Sequence, residues 1–521
     1  MKEIATNIAD FETLRKEGLI YVDKTAYLHK MISTAGSTFF FCARPRRFGK
    51  SLSVTTLKSI FLGHREYFED LAIAKTDWEW KKHTVIHFNW GKVGVDDIEM
   101  FTKGLTATVK DSLVNCGYGY EDNELPSTNL DRAINYFYKQ DGIGPVILID
   151  EYDDPVAKVL HKTELAEQIR TKLSSIYAQF KDNSDKIRFL YITGVSKFTK
   201  LSIFSCLSSL NDISFDKNYA ALYGYTEEEL TDNFEEHLRV KAELMKLDYA
   251  AFRAELKRWF NGYRFAKFNT ETVYNPVSIA LNLSSKIPEF TGSWTSTGRA
   301  SMLMNYIKDK GFISFDLDRT INAIDADFDV SNISNIQPIG MLYQTGYLTI
   351  ADYAHGLYTL RVPDEEVRQD LAALFAGAYA DKDAQWSASL GGKLRAGCWD
   401  EFFEGLKALY SKLPYGSHEK FERKNEFSYT RPLCMLLAAQ GFRYDIEAAH
   451  TAGRSDLIAT CPNGVFIFEL KVDKTAAVAM RQIHKKDYAA PYRAEGLPIW
   501  GIALCFNSKT RKLADFDVEK L

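Results

Sequence analysis

Phe39 to Leu52 reads FFFCARPRRFGKSL, an aromatic run that passes through a basic turn into Gly49-Lys50-Ser51. The order predicts a strand, a loop and a helix. A Walker A motif, G-x-x-x-x-G-K-[ST], has this construction: loop amides, the positive end of a helix and one Lys converge on the β- and γ-phosphates, and the Ser or Thr hydroxyl holds Mg²⁺. Arg44 stands where the first Gly of that motif belongs. Taken alone, the stretch fits a phosphate loop and a plain basic strand-to-helix turn equally well.

Downstream, Leu52, Leu57, Ile60 and Phe61 recur at helical spacing, and Gly63 follows where a glycine ends a helix. Upstream, Thr25 to Ile32 predicts a helix leading into the loop. Short apolar runs at Val85 to Phe88, Val146 to Ile149 and Phe189 to Ile192 predict buried strands. Helical patterns lie between them, at Leu130, Ala133, Ile134, Phe137 and Tyr138, and at Leu165, Ile169, Leu173 and Ile176. This alternation predicts a parallel, doubly wound α/β sheet with ligands at the carboxyl ends of its strands, where the Gly-Lys-Ser turn sits.

Two other strand ends carry residues suited to the same ligand. VILIDEYDDP (146–155) delivers Asp150 and Glu151 directly from an apolar run, as a Walker B segment does: the Asp holds Mg²⁺ and the Glu activates the attacking water. Its plain alternative is an acidic turn, which Asp and Pro favour. ITGVSKF (192–198) places Thr193 where a polar side chain could sense a γ-phosphate, with Lys197 nearby; the alternative is a strand end with a Gly turn. Three such ends, in this order within one α/β domain, are hard to obtain by chance.

At 521 residues the chain is long enough for two to four domains. A net charge of −4 excludes a generally basic nucleic-acid coat, while local basic clusters can still bind phosphate. The seven Cys are scattered singly, without a C-x-x-C pair or zinc-ligand spacing, which fits a reducing compartment. The start is polar, and no apolar stretch approaches the roughly 20 residues of a membrane span, so the expected location is cytoplasmic and no membrane partner is expected.

From about 300 to 375 the pattern changes to helices with one hairpin, Tyr347 to Ile350 and Tyr358 to Val362 about a turn at Ala354-His355-Gly356. That suits a helical connector, winged-helix-like, which either touches DNA or packs on the nucleotide domain. Beyond it, a helix at Leu433 to Ala439 ends at Gly441. Strand candidates follow at Phe442 to Glu447, Asp456 to Thr460 and Val465 to Val472, then a helix through Ala476, Ala477, Met480 and Ile483, and a last strand at Ile499 to Phe506. GRSD (453–456) opens one strand and FELK (468–471) ends the next. In an antiparallel hairpin these ends are neighbours, so Asp456 and Glu469 can offer oxygens to Mg²⁺ or Mn²⁺ while Lys471 points to the same face. Such a metal polarises a phosphodiester and acidifies a water, and the Lys places that water or meets the developing charge. E-x-K alone is uninformative; with twelve residues between its Glu and a preceding Asp, and helices on both sides, it predicts a PD-(D/E)XK nuclease core.

YVDKT (21–25), RPRRFGKS (44–51), LIDEYDDP (148–155), ITGVSKF (192–198), FNGYRF (260–265) and YNP (274–276) together resemble the bacterial and archaeal AAA-ATPase-like family whose members carry a C-terminal PD-(D/E)XK nuclease domain. The resemblance implies that Arg at position 44 is the family form of the loop. It also marks Glu426 in NEFSY as a further metal or water ligand, and Glu447 and Gln482 as family positions. Ser208-Ser209 depart from it, standing where an Asn pair is expected. FNGYRF and WTSTG (294–298) are signatures without assigned chemistry, and TEEE (226–229) reads as a capping box.

The expected fold class is α/β: a P-loop ATPase domain with a parallel sheet over 1–285, a helical, winged-helix-like connector over 286–378 and a C-terminal α/β PD-(D/E)XK nuclease-like domain over 379–521. ATP and Mg²⁺ are the expected cofactors, with Arg46, Arg47, Gly49, Lys50, Ser51, Asp150 and Thr193 about the nucleotide, Ser51 and Asp150 on its Mg²⁺, and Glu151 as base. Asp456, Glu469 and Lys471 are expected to cut, with Glu426, Asp456 and Glu469 on a metal. Arg46, Arg47 and Arg264 are the arginine-finger candidates. The expected activity is an ATP-regulated nuclease acting on DNA in preference to RNA, with homo-oligomerisation left open; the alternative is a nucleotide-dependent switch whose C-terminal domain binds a partner or nucleic acid without cleavage.

Overall fold

Phe39–Ala43 forms β1, and all but its last residue are buried. The loop that follows runs into α2 (Lys50–Leu62), which Gly63 ends in the left-handed conformation with its N–H on the Ile60 carbonyl. Upstream, α1 spans Thr25–Ile32, with the bounds expected from its apolar pattern. The computed structural model describes all residues other than 198–209, 269–270, 293–316, 318, 329–336, 381, 383, 412–424, 447–448 and 451–452. Ser208-Ser209, WTSTG and Glu447 therefore lie outside the described residues.

β2 (Val85–Asn89), β3 (Val146–Asp150), β4 (Phe189–Gly194) and the short β5 (Asn211–Asp212) join β1 in a sheet of order β2-β3-β4-β1-β5. Every pairing in it is parallel. The strands are near-continuous apolar runs because helices cover the sheet: α3 (Ile98–Val114), α4 (Pro126–Asp141) and α5 (Thr163–Asp182) bury Phe101, Leu105, Leu130, Ile134, Ile169 and Leu173 with Ile86, Ile147 and Ile149 in one core. Thr226 and Glu229 form the reciprocal capping box that opens α6 (Glu227–Leu244).

The remaining family signatures are structural in kind. In FNGYRF, β6 (Asn261–Tyr263) pairs antiparallel with β7 (Val273–Tyr274), and a Cβ on Gly262 would fall 1.8 Å from the Pro363 carbonyl oxygen. In YNP, the Asn275 side chain caps α7 (Pro276–Ser284). In YVDKT, Lys24 binds Glu229 and the Ala221 carbonyl. The expected hairpin is present, joined by His355 and Gly356, both at positive φ. It belongs to a three-stranded antiparallel sheet in which β10 (Leu357–Arg361) lies between β8 (Ile321–Ala323) and β9 (Thr349–Ala354).

The chain divides into two compact units, Met1–Thr291 with Thr320–Asp364, and Gly292–Arg319 with Glu365–Leu521. Segment 286–378 is thus shared between them. In the second unit, helices α8 (Glu365–Ala380), α9 (Ala384–Ala396), α10 (Trp399–Ser411) and α11 (Glu426–Ala439) accompany a mixed sheet. β11 (Arg443–Ile446) comes first in that sheet; β12 (Ala449–His450) and β13 (Gly453–Arg454) form a small separate pair. The sheet continues with β14 (Leu457–Cys461), β15 (Gly464–Val472), β16 (Ile499–Phe506) and β17 (Leu513–Lys520), in the order β11-β14-β15-β16-β17. Only β15 and β16 run parallel, joined through α12 (Ala476–Lys486). Ile499–Phe506 is not the last strand: β17 follows it antiparallel at the edge. Its sequence LADFDVEK, half acidic or basic, reads as a solvated tail, and only backbone pairing to β16 reveals it.

Candidate active sites

The first site lies where β1, β3 and β4 end. Gly49, at φ 91°, is the N-cap of α2, and Arg47 also takes positive φ at 68°. The left-handed cap turns the chain so that Lys50 reaches back across the loop. Its ammonium is buried and donates to the carbonyls of Arg44 at 2.9 Å and Pro45 at 2.8 Å. Burial lowers its pKa to about 8, against the opposing pull of Asp150, Asp153 and Glu151.

Asp150 ends β3 at 2 % exposure. Burial raises its pKa, while a hydrogen bond with Ser51 and the charge of Lys50 oppose the rise. Lys50, Ser51 and Asp150 thus stand together as expected of a loop and its acidic strand. Glu151, with φ 52°, turns out of the strand over Gly91, where any Cβ would meet its carboxylate within 1.6 Å. Burial, then Asp154 and Asp150, raise its pKa, with Lys50 and Arg46 pulling the other way.

Other expected residues serve different partners. Thr193 is fully buried and donates to the Cys42 carbonyl at 2.8 Å, bracing β4 on β1. Lys197 pairs with Asp212 at 3.0 Å. Arg264 donates to the Ala351 carbonyl at 2.6 Å on β9, and Arg46 meets Asp154 at 3.4 Å. Sequence reasoning missed Asp153, whose carboxylate accepts from the backbone N–H groups of Val195 and Ser196 and so ties the end of β3 to that of β4. The first Asp of Y-D-D, beside T-G-V-S, was the available signal.

The second site is built on the β14–β15 hairpin. Register places Leu457 opposite Phe468, which brings Asp456 beside the end of β15. Asp456 Oδ2 accepts from the Leu470 N–H at 2.7 Å. Glu469 and Lys471, two apart on one face, meet with Nζ at 2.8 Å from Glu469 Oε1. The same ammonium is 3.3 Å from Glu426, on the first turn of α11, and 3.7 Å from Asp456. The four residues named from sequence therefore converge. Gln482 instead reaches the Tyr488 hydroxyl at 3.3 Å, and His484, one of the helix's basic residues, pairs with Glu519 at 2.7 Å.

Three carboxylates against one ammonium leave excess negative charge in a largely buried place. Burial, then the charge of Asp456, push Glu469 up to about 7 in spite of its contact with Lys471. For Lys471, burial acts downward, but Glu469, Asp456 and Glu426 outweigh it and hold its pKa above the usual value. Glu469 Oε2 is buried without a hydrogen-bond partner. An orphaned oxygen amid uncompensated negative charge suits a cation. Among the described residues no three His, Cys, Asp or Glu side chains are arranged to hold a metal ion; the Lys471 ammonium stands among the carboxylates instead. No described helix is long and apolar enough to cross a membrane.

Comparison with known proteins finds family matches over the segments that carry the two sites. Residues 5–204 match a family described as a predicted AAA-ATPase, and residues 424–516 match the PD-(D/E)XK nuclease superfamily. The chain is also similar to an Azotobacter chroococcum mcd 1 protein described as an uncharacterized protein in the vnfD 5' region. The two are 30% identical over 535 aligned positions, covering 100% of this chain and 99% of that one. The chain belongs to the AAA-ATPase-like family that carries a PD-(D/E)XK nuclease domain.

Proposed function

We propose that the protein is an ATP-regulated, divalent-metal-dependent nuclease that hydrolyses phosphodiester bonds, in DNA rather than RNA. The observation that carries this reading is the convergence of Asp456, Glu469 and Glu426 on Lys471. With the Lys471 ammonium turned from among them toward the phosphodiester, Asp456, Glu469 and Glu426 would hold a Mg²⁺ or Mn²⁺ ion, and Ser51 and Asp150 would hold Mg²⁺ at the nucleotide. A bound divalent cation supplies positive charge against a phosphoryl oxygen and lowers the pKa of a water.

The chain's own residues do the remainder. Lys50, seated by the Arg44 and Pro45 carbonyls, would give its remaining N–H to the β- and γ-phosphates, and the amides around Gly49 would face the phosphates with Arg46 and Arg47 beside them. Glu151, its pKa raised, is suited to take a proton from water at the nucleotide. Lys471 meets the charge that develops on the phosphodiester. Glu469 shares a proton near neutral pH and gives it up when positive charge arrives.

The test is incubation of the whole protein with DNA or RNA, Mg²⁺ or Mn²⁺, with and without ATP. Lys471→Ala is expected to lower cleavage by about 10²-fold or more, the scale on which one charge-stabilising group acts; cleavage equal to wild type would sink the assignment. ATP turnover indifferent to nucleic acid, without any cleavage, would favour the nucleotide-dependent switch.

A further inference from the structure

Arg44 occupies the position of the first Walker glycine, yet its side chain is only 2 % exposed and turns into the core. One guanidinium nitrogen donates to the carbonyls of Ala43 at 2.9 Å and Ser214 at 2.7 Å, and the other to that of Tyr219 at 3.4 Å. The group lies 4.5 Å from the Phe265 ring centroid and 5.8 Å from that of Tyr223. Its backbone N–H binds the Gly194 carbonyl at 3.0 Å. Arg44 thus links β1 to the end of β4, to the segment after β5 and to the FNGYRF signature. Its own carbonyl and that of Pro45 are the two that seat Lys50. Phe265 holds the loop a second time, edge-on to Phe48 at 5.1 Å.

We propose that Arg44 is a positioning residue of the phosphate loop: its inward guanidinium fixes the carbonyls that seat Lys50, so restoring the Walker glycine weakens nucleotide binding. The proposal rests on the ATP reading above. A glycine at 44 would match the motif but lose every side-chain link just named and add backbone freedom at the root of the loop. Lysine would keep the charge without the planar fork that reaches three carbonyls beside the Phe265 ring.

The experiment measures the KM for ATP turnover and the Kd for ATP·Mg²⁺, below the melting transition, on wild type, Arg44→Gly and Arg44→Lys. Both constants are expected to rise tenfold or more in Arg44→Gly, and Arg44→Lys is expected to recover less than half of the loss. A residue that merely stabilised the fold would lower the melting temperature and leave both constants of the folded protein unchanged. Arg44→Gly binding ATP like wild type overturns the proposal. If Arg44→Gly does not fold, Phe265→Leu decides: a threefold or greater rise in Kd supports the proposal, and wild-type affinity overturns it. Wild type that binds no ATP overturns the ATP reading, and this proposal with it.

Discussion

Single residues here are governed by where burial puts charge. Glu469 gains a pKa of about 7, above its unfolded value, because burial and Asp456 penalise its charged form. Stability from that proton is fully present below about pH 4.5 and is lost as pH rises through about 7. Chemical denaturation without divalent metal should therefore show the second unit losing about 3 kcal/mol between pH 4.5 and pH 8, and Glu469→Gln should flatten the profile; an unchanged slope in that variant would refute the assignment. Gly91 is a second case. Its missing Cβ leaves room for the Glu151 carboxylate, so Gly91→Ala should keep ATP affinity within about threefold while turnover falls at least tenfold, one displaced catalytic group costing on that scale. Equal losses of both would show that the loop, and not Glu151, was disturbed.

Elements were legible where one local signal sufficed. Thr25–Ile32 and Ile499–Phe506 have the bounds their apolar patterns predict, and the Thr226-Glu229 box caps α6 as its spacing requires. That box should be worth about 1 kcal/mol, so Thr226→Ala should lower the melting temperature of the first unit by a few degrees without moving ATP affinity; a shift in affinity would mean that α6 reaches the site. What sequence did not disclose depends on the neighbouring strand. The direction of Thr193 follows from the approach of β1, and the inward turn of Arg44 from carbonyls 170 and 175 residues away. The acid–lysine site was readable because its pieces sit on one hairpin, where an alternation of two and a short separation fix the face. Glu426 is the exception, arriving from α11, and only resemblance pointed to it.

On the scale of the molecule, the chain leaves the first unit after Thr291, returns at Thr320 and leaves again after Asp364. The unit bearing Glu469 therefore draws on two stretches of sequence. A fragment beginning at Glu365 lacks Gly292–Arg319, and its thermal unfolding should begin several degrees below that of the same unit in the whole chain; coincident transitions would show that the missing stretch adds no stability. The interleaving also has a consequence for descent. A module bounded by two cuts can be copied into another gene by a single recombination, whereas one whose sequence is threaded through its neighbour cannot be removed without breaking both. The ATPase and the nuclease fold should then be inherited as one block, gained or lost together, and the Azotobacter protein, matched along 99% of its length, has the extent that such joint inheritance leaves.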